Sequence, residues 1–219
     1  LELKRSGLEA GAAPEVLNPL SEDWAHLRPS LVPGLLKAAA YNFRRGVRGL
    51  RLFELGRVYL KEGKDGQGIA ERAVLTGLVA GTLPERPDWT QRWQAVEPNR
   101  HFYEAKGACA ELLAGFAVEW GEPKPDPLLH PKASVQASVP GQEAARAGLL
   151  HPSVAQAWDI PPGAAVFVVE LELLSQAARA TAKLEPPSPY PSIVRDLSIA
   201  APESARYAEI AGCLRGLPS

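Results

Sequence analysis

The 219-residue chain contains no methionine, only two cysteines, and no apolar run near the roughly 20 residues that a membrane span needs. Without a methionine, Leu1 is not a translation start as written, so the chain reads as a piece of a longer protein or as a processed one. Cys109 and Cys213 are far apart and form no Cys-x-x-Cys. With no secretory signal at the start, they read as free thiols in a reducing cytoplasm. Neither charge sign dominates: 24 Lys and Arg face 25 Asp and Glu, the net charge is −1 and the pI about 6.5. That balance argues against a generic nucleic-acid-coating surface and leaves room for a local basic patch. No Gly-x-Ser-x-Gly is present, and no Cys-and-His pairing in the sequence suggests a nucleophile.

What is there is ordinary globular material, 46% hydrophobic and 22% charged, enough for one large domain or one domain plus part of another. Val16–Leu20 reads as a short strand stopped by a proline. Leu27–Phe43 has helical apolar spacing, with Pro33 near its start and Gly46 and Gly49 at its end. Arg51–Tyr59 and Ala73–Ala80 alternate as strands and bracket the turn Glu62–Gly68, which predicts an antiparallel hairpin. Pro84–Pro98 is an irregular connection. Phe102–Phe116 is a helix with Phe102, Ala105, Cys109, Leu112, Leu113 and Phe116 on one face. Strands follow at Ala117–Trp120 and Ser134–Val139, then a short helix at His151–Ile160. Ala164–Leu174 is the strongest strand of all. Glu185–Pro191 holds four prolines and reads as a linker, followed by a strand at Ile193–Ala200 and a helix at Glu203–Leu214. The fold class predicted is α+β, a mostly antiparallel sheet with few helices. The two longer helices are expected on one side of that sheet, over a core containing Phe43, Phe53, Leu55, Phe116, Val166 and Val168.

Chemistry is sparse. Gly63–Gly68 is glycine-rich, yet Glu71 stands where a dinucleotide fingerprint needs a third small residue, and no Gly-Lys-Ser/Thr follows. It reads as a hairpin loop. His26, His101, His130 and His151 have no metal-ligand spacing. Glu22 with Asp23, and Glu170 with Glu172, are imaginable carboxylate pairs, the second on one face of a strand, where a solvated face is the default. Arg44, Arg45, Arg48 and Arg51 form the only basic cluster. It serves either to complement a helix C-terminus or to contact a phosphate backbone or a partner subunit.

Several segments together carry a resemblance. They are Asn18-Pro19-Leu20-Ser21, Leu27-Arg28-Pro29-Ser30-Leu31-Val32-Pro33-Gly34-Leu35-Leu36, and Leu50-Arg51-Leu52-Phe53-Glu54-Leu55-Gly56-Arg57-Val58-Tyr59-Leu60. Further on come Phe102-Tyr103-Glu104-Ala105-Lys106-Gly107, Gly148-Leu149-Leu150-His151-Pro152 with Val154, and Pro191-Ser192-Ile193-Val194-Arg195-Asp196-Leu197-Ser198. In this order they resemble the phenylalanyl-tRNA synthetase beta subunit family over nearly the whole chain. The resemblance implies a class II synthetase-like antiparallel sheet flanked by helices over residues 1–184 and a proline-rich linker at 185–191. Residues 192–219 would begin a ferredoxin-like anticodon-binding domain, of which only the first β and α are present.

The same resemblance implies a lost active site. In the catalytic alpha subunit the equivalent strand ends Gly-Arg-Val-Tyr-Arg, and that last arginine holds the ATP α-phosphate; here the position is Leu60. A guanidinium forks onto phosphate and a leucine cannot. The motif 3 segment needs glycines and an arginine, and Ala164–Leu174 has neither. No catalytic, cofactor-binding or metal-ligating residue is therefore carried over. The expected role is a non-catalytic scaffold for the alpha subunit in a cytoplasmic α2β2 heterotetramer that joins phenylalanine to tRNA(Phe) with ATP and Mg²⁺, with no membrane involved. The rivals are an active class II ligase with an atypical site and a free-standing RNA-binding module.

Overall fold

Residues Ala165–Glu170 (β6) carry apolar side chains at five successive positions, so both faces of this strand require cover. The computed structural model describes residues 2–8, 11, 13–21, 25–62, 68–82, 99–140, 142–176, 196–202, 204–205 and 207–216. In it, β6 lies inside a six-stranded, wholly antiparallel sheet with β1 (Gly49–Glu62), β2 (Gly68–Gly81), β3 (Glu119–Gly121), β4 (Leu129–Val139) and β5 (Gln142–Leu150), in the order β1-β2-β6-β5-β4-β3. The predicted antiparallel α+β class is what forms. The first two strands are a continuous hairpin, in register from Gly49 opposite Gly81 to Glu62 opposite Gly68. No helix among the described residues is long and apolar enough to cross a membrane.

Successive β6 residues face opposite layers. Val166 and Val168 join Leu78 and Val74 of β2 beneath helix α2 (Val32–Phe43), which inserts Val32, Leu35, Leu36 and Ala39. Val154 and Ala155 of the short helix α4 (Pro152–Ala157), with the following Trp158, complete this layer. The N-terminal turn α1 (Glu2–Arg5) is fastened here: the Trp158 indole donates to the buried Ser6 hydroxyl at 3.2 Å, and the Arg5 guanidinium stacks over the indole. On the other side, Ala165, Phe167 and Val169 meet Ala105 and Cys109 of helix α3 (Arg100–Leu112). Gly77 is required there, because a Cβ on it would lie 2.2 Å from the Phe167 ring.

The two long helices therefore pack on opposite faces, not on one. The expectation failed because each helix face was matched to a single apolar surface, whereas β6 presents two. The core list is corrected as well. Val166 and Val168 are buried, and Phe43 and Phe116 pack against the two core layers from partly buried positions. Phe53 and Leu55 are 77% and 65% exposed. They sit on the α3 side of β1, and β1 is the sheet's edge. α3 packs across β5, β6, β2 and β4, and the next helix, α5 (Leu171–Gln176), packs on β2 and β5. The inward residues of β1 are Leu50 and Val58.

Other elements shift for local reasons. Helix α2 starts at Val32, not Leu27, because Pro29 disfavours helix in the residue before it, and Leu27–Ser30 is irregular with a bend at Pro29. Val16–Leu20 is not a strand: a single bridge joins Glu15 to His26, and Leu17 and Leu20 lie in solvent. The last strand ends at Glu170, and the chain turns into α5. The chain divides into two compact units, Leu1–Ala182 and Lys183–Ser219. The second unit contains helix α6 (Tyr207–Arg215). The strand predicted at Ile193–Ala200 is not formed over residues 196–200, where a lone strand has no neighbour to pair with; residues 193–195 and the linker 185–191 lie outside the described residues.

Two phenylalanines on the same side of the sheet separate the two accounts of the core. Phe167→Ala should cost about 3–5 kcal/mol in urea unfolding. Phe53→Ala should stay within about 0.5 kcal/mol, since it removes a solvent-facing ring. Equal losses would put Phe53 back into the core.

Candidate functional site

The layer beneath α2 and α4 covers only part of its sheet face. Farther along the strands the same face turns polar. From β1 to β4 it presents Val58 and Leu60, Arg72, Glu170, Arg146 and Gln136. The register makes these neighbours: Val58 is opposite Arg72, Val74 opposite Glu170, Val168 opposite Arg146, and Arg146 opposite Gln136. Leu8, Pro29–Ser30 and the segment Pro123–Leu128 wall this patch into a cavity of about 420 Å³.

Most charge in the cavity is already spoken for. The Arg146 guanidinium pairs with Asp126 at 2.9 Å and with Glu143 at 3.2 Å. Glu143 reaches it because the register against β4 shifts: Ala145 opposes Ala137 but Glu143 opposes Ser138, leaving Ala144 as an extra residue. Such a bulge re-aims the side chain beside it, here Glu143. Asp126 also accepts from the Leu128 amide at 2.9 Å, and the Gln136 side chain accepts from the Lys124 amide at 3.1 Å. The 123–128 segment is thereby fixed over the strands. Glu170 is different. Burial raises its carboxyl above the usual glutamate value, and the charges of Arg72 and Arg146 offset this only in part. Neither the Glu170 nor the Arg72 side chain has a hydrogen bond or an ion pair within 4.0 Å among the described residues.

Beside the cavity, the residues of the Leu27–Ser30 segment clamp β1. Arg28 pairs with Glu54 at 2.6 Å and donates through Nε to the Arg57 carbonyl at 2.9 Å, while its own carbonyl accepts from the Tyr59 amide at 2.9 Å. Gly56 lies under the guanidinium, where a Cβ would come within 2.6 Å of it. Arg28, Glu54 and Gly56 thus build structure around the cavity.

The residues singled out in the sequence are scattered. Leu60 lines the cavity. Arg44 pairs with Asp159 at 2.8 Å, Arg45 lies over the Tyr41 ring, and Arg51 pairs with Glu104 at 3.2 Å, so three of the four clustered arginines are engaged within the fold. The histidines take local roles: His101 against the Gly163 carbonyl, His130 accepting from the Lys132 amide, His151 with Ser153, and His26 in the bridge to Glu15. Glu170 and Glu172 do not share a strand face, since Glu172 sits in the first turn of α5. Glu22, Asp23 and residues 63–67 lie outside the described residues. Burial pushes the Cys109 thiol up to about 12, which keeps it protonated and unreactive inside the α3 layer. Sequence reasoning missed Arg72, Asp126, Gln136, Glu143 and Arg146. The available signal was parity: Arg72 lies an even number of residues from the inward-facing Val74 and Leu78 on β2 and so had to face inward too.

Glu170 makes stability pH-dependent in a stated direction. Its folded-state value lies above the ordinary 4.5, so its contribution is fully present below 4.5 and is lost as the pH rises through the raised value. Glu170→Gln should therefore gain stability over the parent chain as the pH climbs above 4.5, with the smallest difference below it. Urea titrations across that range check this; a gap that widens on acidification would contradict it.

Comparison with known proteins places this geometry. Residues 3–173 match the family described as "Phenylalanyl tRNA synthetase beta chain CLM domain". Phenylalanine–tRNA ligase beta subunits of Moorella thermoacetica, Thermosynechococcus vestitus and Geobacter sulfurreducens are 33%, 34% and 35% identical, over 92%, 89% and 91% of this chain. The chain spans about a quarter of the length of these curated relatives (24%, 24% and 25%). Among solved structures, a Desulfitobacterium hafniense pyrrolysyl tRNA synthetase shares the fold, with a TM-score of 0.54 at 17% identity, over 80% of this chain and 55% of that one. The sheet, its motif order and the match over residues 3–173 together establish that the chain belongs to the phenylalanyl-tRNA synthetase beta chain family.

Proposed function

We propose that this chain is the synthetase-like module of a phenylalanine–tRNA ligase beta subunit, and that the module is a non-catalytic scaffold. In this reading it supports a catalytic alpha subunit within a cytoplasmic α2β2 assembly that charges tRNA(Phe) using ATP and Mg²⁺. Residues 1–184 are the module, 185–191 the linker, and 192–219 the start of an incomplete ferredoxin-like anticodon-binding domain, of which helix α6 is formed.

The observation that carries the reading is Leu60 in the wall of the cavity on the polar half of the sheet face. The resemblance puts the phosphate-holding arginine of motif 2 at this position. An isobutyl group offers neither charge nor hydrogen bond to a phosphate. On the neighbouring side, β6 reads Ala-Val-Phe-Val-Val-Glu, with no glycine to admit an adenine and no arginine to hold a γ-phosphate. Its side chains fill both core layers instead. The residues present do not fit ATP with its Mg²⁺, and no catalytic, cofactor-binding or metal residue is assigned to this chain.

Against the rival of an active ligase stand Leu60 and β6. Against a free-standing RNA-binding module stand the net charge of −1 and the arginines already paired within the fold. Salt-dependent RNA binding by the chain alone would revive that second rival.

Calorimetry of the chain with ATP should show no binding. Micromolar affinity, about −8 kcal/mol, would overturn the scaffold reading. Leu60→Arg should not create adenylate-forming activity, because β6 still blocks the other half of the site.

A further inference from the structure

We propose that residues 2–8 form a strap that locks helix α4 and the Pro127–Leu128 wall of the cavity into one cooperative unit, so that release of the strap loosens both and opens this half of the sheet face to solvent. The inference stands on contacts within the fold. It requires neither the ligase reading nor a ligand for the cavity.

The strap touches both elements that it locks. At one end, the Arg5 guanidinium donates to the Ala157 carbonyl and lies over the Trp158 ring, 4.3 Å from its centroid. The Trp158 indole donates to the buried Ser6 hydroxyl at 3.2 Å, and that hydroxyl donates in turn to the Glu2 carbonyl at 3.0 Å. At the other end, Gly7 has a φ of +72° and lies against Pro127: a Cβ on it would come within 3.3 Å of the Pro127 Cβ. Leu8 packs on the core beneath α2 and lines the cavity. The two locked elements also hold each other, because the His151 amide at the start of α4 donates to the Leu128 carbonyl at 2.8 Å. These contacts close a ring from Ser6 through Trp158, α4, Leu128 and Pro127 back to Gly7.

No member of the ring is stable alone. α1 has four residues and α4 has six, and a helix of one or two turns does not persist without tertiary contacts. Pro123, Pro125 and Pro127 have no amide hydrogen to give, and the segment between β3 and β4 forms neither helix nor strand. Its Asp126 is tied to the sheet through Arg146, whereas its Pro127–Leu128 end leans on Gly7 and His151. β6, by contrast, is paired along both edges. Short elements that depend on shared contacts open together, and at a lower cost than the sheet. Ser6 is the sensitive point, since without its oxygen the buried indole N–H loses its acceptor.

The test is native-state hydrogen exchange of the 219-residue chain, read amide by amide. In the unaltered chain under rising, sub-denaturing urea, the amides of Leu8, Leu128, His151 and Trp158 should merge onto one opening line, below that of Val166 and Val168 in β6. Ser6→Ala, at the Trp158 end, and Gly7→Ala, at the Pro127 end, should each speed exchange at least tenfold at all four amides. Val166 and Val168 should change less than twofold. The urea series uses the unaltered chain, so it decides the matter even where a variant misfolds. Separate opening lines for the four amides would overturn the proposal, as would faster exchange of Leu8 in the variants while the other three keep their parent rates, the mark of a strap that frays alone. Merging of the four only with β6, the mark of global unfolding, would overturn it equally.

Discussion

The rest of the structure depends on β6 being buried on both faces. A strand with apolar side chains at every position from Ala165 to Val169 has no face to give to water. One helical layer satisfies Val166 and Val168 and another satisfies Phe167 and Val169, so α2 and α3 must lie on opposite sides. Small residues make the second layer close enough: Ala105 and Cys109 of α3 sit on Ala145 and Ala147 of β5, and Gly77 leaves space for the Phe167 ring. The helices are shorter than the sheet is long. The uncovered half of the α2 face is where charge collects.

That charged half is held by geometry more than by strength. Partly exposed ion pairs contribute little net stability, because desolvation and side-chain ordering offset the attraction. What Arg146 does with Asp126 and Glu143, and Arg28 with Glu54 under Gly56, is fix two irregular segments against the strands. A cavity wall made of loop then becomes as well defined as one made of sheet. In the proposed scaffold reading, Leu60 and the glycine-free β6 leave this face without a phosphate ligand.

Much of this was legible in the sequence. The β1–β2 hairpin, α3 and β6 follow from periodicity, and the motif order identified the family. The misses share a cause: each turned on a neighbour that periodicity does not see. β5 reads Gln-Glu-Ala-Ala-Arg-Ala-Gly-Leu-Leu, poor in strand formers, and is a strand because β4 and β6 pair with both its edges. Phe53 and Leu55 looked like core because they are large and apolar, and they are exposed because β1 is at the sheet's edge. The polar cavity escaped notice because Arg72, Glu143, Arg146 and Glu170 come from three strands, and a bulge sets the position of one of them. Sequence separation hid what register brings together.

The central claim is that this module keeps a synthetase fold and contributes no adenylating site. The most direct measurement counts sites in the assembled enzyme: the amount of phenylalanyl-adenylate formed in the first turnover per alpha–beta pair. The account predicts one equivalent per pair, all of it lost when the alpha subunit's phosphate-holding arginine is removed. Two equivalents per pair, or one that survives that removal, would contradict it.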